Sequence, residues 1–207
     1  MTSGGLRFRE VMNGQLALRE TEPEKGFSDE SAYATSLQAS IDIPDIDEFL
    51  AGGRHVGTLR AEVFIPVLGG RFVCTDGEYV LFGTEQAPNP QDPPVRTMGY
   101  TAKLTMDDRI YKLHGRKDIE PGAPWRVWPA TTTLNVTLQQ VTDATGTLGP
   151  VVAAGILKLT FGAFMRQLAT FQVTGDVRWF RRPVVIARYI NFFGRMLVRT
   201  YLLQRPW

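Results

Sequence analysis

The sequence predicts a mainly β domain: an antiparallel barrel or sandwich of about eight strands with two C-terminal helices packed on it. Three observations carry that expectation. Apolar and polar residues alternate with period two from residue 37 to about 141, turn dipeptides separate the alternating runs, and helical periodicity is confined to residues 161–207. Alternation sends successive side chains to opposite faces of a strand, so each run has one buried and one wetter face. Leu37, Ala39, Ile41 and Ile43 alternate with Gln38, Ser40 and Asp42, and Leu59, Ala61, Val63 and Ile65 mostly with Thr58, Arg60 and Glu62. Gly69-Gly70 and Asp76-Gly77 accept positive φ cheaply, so residues 62–68, 71–74 and 78–82 read as a tight meander. Tyr100, Ala102, Leu104 and Met106 then alternate with Thr101, Lys103 and Thr105, and Asp107-Asp108 turns the chain into a partner strand over 109–118. Over 131–141, Leu134, Val136 and Leu138 face away from Thr133, Asn135, Thr137 and Gln139; its β-branched content favours strand, and a turn follows at 143–146.

Residues 150–159 are nearly continuously apolar, so both faces of that strand should be covered, and the C-terminal helical region is the expected cover. One helix reads over 161–171, ending near Gly175, and a second from about Pro183, which suits a first helical turn, to about Leu203. Residues 21–36 and 84–95, the latter with its APNPQDPP run, read as loops. The whole chain is expected to form one domain, a β body over 1–160 and a helical flank over 161–207.

Composition narrows the function classes. A single cysteine excludes a disulfide framework or a cysteine-built zinc site, and suggests a reducing compartment. Charge is unevenly spread: residues 1–157 are net −6 and residues 158–207 net +8, with Asp176 the one acid of the latter. Such a basic tail on an acidic body points to an anionic partner, or to the acidic body receiving its own tail. No apolar run of signal-peptide length follows Arg7 and Arg9, so the expected location is cytoplasmic, with attachment to the inner face of the membrane as an option. Residues 177–203 are interrupted by six arginines and a proline and do not read as a membrane span.

The inventory for catalysis is thin. All serines lie at or before Ser40 and none sits in a glycine-flanked elbow; His55 and His114 are the only histidines; Cys74, at a strand end, reads as a small buried hydrophobe. No metal-ligand spacing, dinucleotide fingerprint or phosphate loop occurs, so neither metal nor cofactor is expected. The enzyme reading that remains is a cofactor-free cyclase or isomerase with Tyr100, Tyr111, His114 or Glu62 as acid–base groups inside a barrel. In the stretch YKLHGRK, Tyr111, Leu113 and Gly115 share one strand face, and Lys112, His114 and Arg116 the other. Turned inward, the second face would be a binding site; turned outward, it is a solvated surface.

The strongest physical signal is the C-terminal segment. At 100° per residue, Arg178, Arg181, Arg188, Arg195 and Arg199 gather on one third of a helix, and Trp179, Ile186, Ile190, Phe193, Leu197 and Tyr201 on the other side. Arg182 and Trp207 add to the same segment. Arginine with Trp, Phe and Tyr is the composition of interfacial membrane helices. The alternative is a helix whose apolar side covers the sheet. Nucleic acid is not expected as a partner, because the basic residues form no stripe with aromatics on the β face.

Three stretches carry a family resemblance. Residues 6–14 (LRFREVMNG), 98–117 and 128–134 (WPATTTL) resemble the opening, the central hairpin and the threonine-rich segment of a bacterial module. That module is fused elsewhere to GMC-type, cholesterol-oxidase-like flavoenzymes and to α/β-hydrolase units. Residues 153–175 resemble its closing strand and helix. Ala130 stands where the module has an aspartate, and the chain contains no flavin-binding or hydrolase unit of its own. The resemblance implies an accessory, non-catalytic role near lipid or sterol metabolism, with an apolar small molecule or lipid, an anionic membrane surface or a flavin oxidoreductase as partner.

Overall fold

The computed structural model describes residues 4–85, 95–106, 108–142 and 147–203. Eight strands form a closed antiparallel barrel: β1 (Gly5–Leu18), β2 (Tyr33–Ile43), β3 (His55–Ile65), β4 (Gly70–Glu85), β5 (Val95–Met106), β6 (Arg109–Ile119), β7 (Thr133–Val141) and β8 (Leu148–Lys158). Each pairs with its neighbour in sequence, and β1 closes the ring by pairing with both β2 and β8. Within this ring every strand is paired on both sides. A short strand, β9 (Gln172–Thr174), adds to residues 5–7 of β1, whereas β8 holds residues 13–18 of the same strand. Between them Thr170 bridges to β1, its Oγ1 accepting from Arg9 N at 2.8 Å.

The expected alternation is what fills the barrel. Leu37, Ile41, Ile43, Leu59, Val63, Leu104, Leu113, Leu134, Val136 and Leu138 are all at most 1% exposed. Cys74 is buried among them. Two corrections cancel in the strand count. The sequence reading contains no strand before residue 37, yet β1 spans Gly5–Leu18. Its inward set is Leu6, Phe8, Glu10, Met12 and Leu16, and the buried Glu10 together with the 41% exposed Val11 blunts its alternation. Conversely, residues 71–82 are one strand, not two. Gly69 makes the expected turn at φ 103°, but Asp76-Gly77 is a bulge where the register with β3 shifts between Leu59 and Ala61. A Cβ on Gly77 would lie 2.6 Å from the Thr101 carbonyl oxygen, so the bulge brings two backbones together where only glycine fits.

The segment expected as a loop over 21–36 contains α1 (Pro23–Ser28) and the start of β2. That helix, not the C-terminal region, covers the outer face of β8. Gly26 sits so close to Ala154 that a Cβ would lie 2.0 Å from its carbonyl oxygen, and the Lys158 ammonium lies 4.5 Å from the centre of the Phe27 ring. The short α2 (Ile46–Ala51) is capped by Asp45, whose carboxylate accepts from the backbone of Asp47 and Glu48. Thr131 and Thr132, expected to open a strand, instead end α3 (Val127–Thr132), their hydroxyls donating to the carbonyls of Val127 and Trp128. The two expected C-terminal helices are α4 (Phe161–Ala169), capped by Thr160, and α5 (Arg182–Tyr201). Together with α3 they lie over one end of the barrel, α5 burying Val185, Tyr189, Thr200 and Tyr201. Among the described residues no helix is long and apolar enough to cross a membrane. The expected turn at 143–146, Asp107, most of the 84–95 loop and Trp207 lie outside the described residues.

Candidate functional site

The barrel is solid at one end and hollow at the other. Near the β3–β4 and β5–β6 turns, Phe72 and Tyr111 meet edge to face at 5.4 Å. At the helix-covered end, the inward side chains Phe8 and Glu10 of β1, Tyr79 of β4, Met98 and Tyr100 of β5 and Lys117 of β6 form the floor of a cavity of about 310 Å³. Trp128 and Thr132 of α3, Phe164 and Gln167 of α4, and Tyr189 and Phe193 of α5 supply walls and roof. The volume is at the lower end of the ~300–1,000 Å³ usual for small-molecule sites.

Its polar groups are concentrated on the floor. Glu10 and Lys117, 2% and 1% exposed, form an ion pair with Nζ donating to Oε1 at 2.5 Å. The Tyr100 hydroxyl donates to the other carboxylate oxygen at 2.7 Å, and the Lys117 ammonium lies 5.1 Å from the Tyr100 ring centre. Beside them Tyr79 of β4 and Tyr189 of α5 also face the cavity. Burial pushes the phenols of Tyr79 and Tyr100 well above the ordinary value of 10.0, and the Glu10 charge adds to the effect in both. Burial likewise raises Tyr189. All three therefore stay un-ionised at neutral pH. Among the described residues, Oε1 of Gln167 is buried without a hydrogen-bond partner.

Three cavity-lining residues are exposed: Trp128 at 40%, Leu168 at 39% and Ile190 at 48%. They mark the mouth. Phe161, packed on Trp128 at 5.8 Å, is 66% exposed, and Trp125 and Trp179 are each 80% exposed on the same helical cap. Arg126, Arg166, Arg178, Arg181 and Arg182 are exposed among them.

Of the four acid–base candidates, the structure brings only Tyr100 into the cavity. Tyr111 is buried at the solid end. His114 and Glu62 do not face inward as that reading requires: His114 is exposed on the outer face of β6, and Glu62 pairs across the outer surface with Arg71 at 3.3 Å. The face of β6 carrying Lys112, His114 and Arg116 is thus the outer one. His55 is structural, its Nδ1 lying 2.6 Å from the Phe49 carbonyl oxygen. In the basic segment, Arg188 pairs with Asp47 of α2, so the acidic body receives part of its own tail. Arg178, Trp179 and Arg181 precede α5 and do not ride on its wheel; Arg195 and Arg199 are exposed on the helix itself. Among the described residues no group of three His, Cys, Asp or Glu side chains is placed to hold a metal ion.

The polar site residues Glu10, Tyr79, Lys117, Gln167 and Tyr189 are among those that sequence reasoning did not single out. A signal for Glu10 and Lys117 exists. Counting by two from Leu6 and Phe8 reaches Glu10, and from Tyr111, Leu113 and Gly115 reaches Lys117: one acid and one base, each at an inward position of an apolar alternation. Fold and site together define a closed eight-stranded antiparallel barrel with an apolar cavity above a buried ion pair. Compared with known protein families, curated proteins and solved structures, the chain matches none.

Proposed function

We propose that this chain is a non-catalytic binding module that holds one apolar small molecule or lipid in the cavity between barrel and helices. The supporting observation is the division of that cavity: aromatic and aliphatic walls of ligand size, with ionic and phenolic groups gathered on the floor. Apolar walls favour a ligand through water release at ~25 cal/mol per Å² of apolar surface covered, and a few polar groups orient it. The cyclase or isomerase alternative asks for at least two of Tyr100, Tyr111, His114 and Glu62 in one pocket; Tyr100 alone lines it, so binding is the reading put forward. A fluorescent apolar probe should bind the native protein one to one. Leu197→Trp, which fills the cavity from α5, should weaken it about tenfold or more with the circular dichroism unchanged. Undiminished probe binding in that folded variant would remove the cavity as the site.

The helical cap favours a second element of the same function, docking on an anionic membrane at its cytoplasmic face. Trp179 and Phe180 project beside Arg178, Arg181 and Arg182, and among the described residues these three arginines form no ion pair. Aromatic rings can enter the interface while guanidinium groups meet lipid phosphates. In flotation, the chain should rise with phosphatidylglycerol vesicles and not with purely zwitterionic ones. Arg178→Gln/Arg181→Gln should weaken binding about 30-fold, at ~1 kcal/mol per basic residue near the surface. Equal flotation on both lipids, or an indifferent double variant, counts against docking. A flavin oxidoreductase that exchanges ligand with the module rests on the sequence resemblance alone.

A further inference from the structure

We infer that the cavity fills and empties by direct contact with a lipid bilayer: the apolar outer face of α4 enters the membrane interface and lays the mouth against it, so the ligand crosses without passing through water. The inference rests on the binding and docking readings above, and adds the surface that makes the contact and the route the ligand takes.

The residues of α4 are not those of a helix that only roofs a barrel. Such a helix buries one apolar stripe and turns polar and charged residues to water. The buried stripe is present: Ala163 is buried, and Phe164 and Gln167 line the cavity. The six exposed positions, however, are Phe161, Gly162, Met165, Arg166, Leu168 and Ala169, one charge among apolar residues and glycine. Phe161, Met165 and Leu168 follow one another at helical spacing and share a face, at 66%, 49% and 39% exposure. Exposed apolar residues standing singly are ordinary, whereas a continuous run of them marks a contact surface.

That face runs into the mouth. Leu168 belongs to both, since it also lines the cavity, and Phe161 packs on Trp128, itself an exposed member of the cavity wall. Ile190 stands on the α5 side of the same opening. A ligand that leaves through water exposes its apolar area at a cost proportional to that area, and a mouth held against acyl chains removes most of that cost.

Charge names lipid as the occupant of this face. Residues 121–132 and 159–203, which build the cap, hold eight arginines and a single acid, Asp176. Apolar residues bordered by guanidinium groups match a surface whose phosphates lie above acyl chains. A second copy of the chain would set cations against cations there.

The test loads the full chain with diphenylhexatriene and follows its transfer, by stopped-flow fluorescence, to vesicles that carry a quencher lipid. The transfer rate should rise in proportion to vesicle concentration, and should be about tenfold faster to phosphatidylglycerol than to phosphatidylcholine at equal lipid. Phe161→Glu/Met165→Glu, at two exposed positions that do not line the cavity, should keep the probe affinity within about twofold and lower the concentration dependence about tenfold. Should that variant not fold, the concentration dependence of the native chain decides by itself. A rate independent of vesicle concentration means release through water and overturns the inference, as does a folded double variant that transfers like the native chain. Either result leaves the binding reading standing if the probe is held, and the docking reading standing if the chain still floats with anionic vesicles. A native chain that does not hold the probe removes the binding reading, and the inference with it.

Discussion

Lys117→Met should destabilise the protein by ~3–5 kcal/mol in urea unfolding, the usual cost of stripping the partner from a buried charge. Glu10 would then keep one hydrogen bond, from the Tyr100 hydroxyl, and no counter-charge, in a position only 2% exposed. The pair itself need not be a net source of stability, because removing both ions from water offsets most of their attraction. The double variant Glu10→Gln/Lys117→Met should therefore recover most of the loss, and the cycle of four proteins should give a coupling of ~1–3 kcal/mol between the two positions. A loss below ~1 kcal/mol in Lys117→Met would mean that water reaches Glu10 and that the cavity floor is wet.

Leu134→Ala should cost ~2–5 kcal/mol, near the top of that range. Leu134 is fully buried on β7, directly against Gly115 of β6; a Cβ on Gly115 would lie 3.2 Å from its two terminal methyl groups. With no side chain on that glycine to move in, the space left by the truncation stays empty. Adding the missing methyl, as Leu134→Ala/Gly115→Ala, should therefore cost less than the sum of the single changes, because Gly115→Ala alone crowds Leu134 and in the double variant fills part of its void. Equilibrium unfolding by urea measures all three. Strict additivity would show that the two residues do not share the space assigned to them.

Much of the barrel was legible in the chain, since strand alternation is a local property and survives any tertiary arrangement. β2, β3, β5, β6 and β7 lie close to where period two places them, β8 lies where the continuous apolar run places it, and the helices begin near Thr160 and Pro183. The strand that escaped, β1, is the one that carries Glu10 inward; the functional residue itself spoils the pattern that would have located the strand. The merged strand β4 escaped for a different reason. A dipeptide such as Asp76-Gly77 serves equally in a hairpin turn or a bulge, and only pairing with β3 and β5 on both sides selects the bulge. Likewise the apolar run of β8 rightly asked for a cover, but nothing local names the cover, which proved to be the early helix with Gly26.

Amino-acid order alone settles the mainly β class, the inward set of most strands and the poverty of catalytic groups, because side-chain direction and residue inventory depend on neighbours a few positions away. It also places an acid and a base at inward positions, but not in contact. Glu10 and Lys117 lie 107 residues apart, on strands β1 and β6 that are not adjacent in the sheet, and closure of the barrel is what sets them 2.5 Å from one another. The hollow above them exists only because three helices, from two distant parts of the chain, come to rest over one end of the ring without filling it. Closure and docking are properties of the whole packed molecule, and no window of sequence contains them.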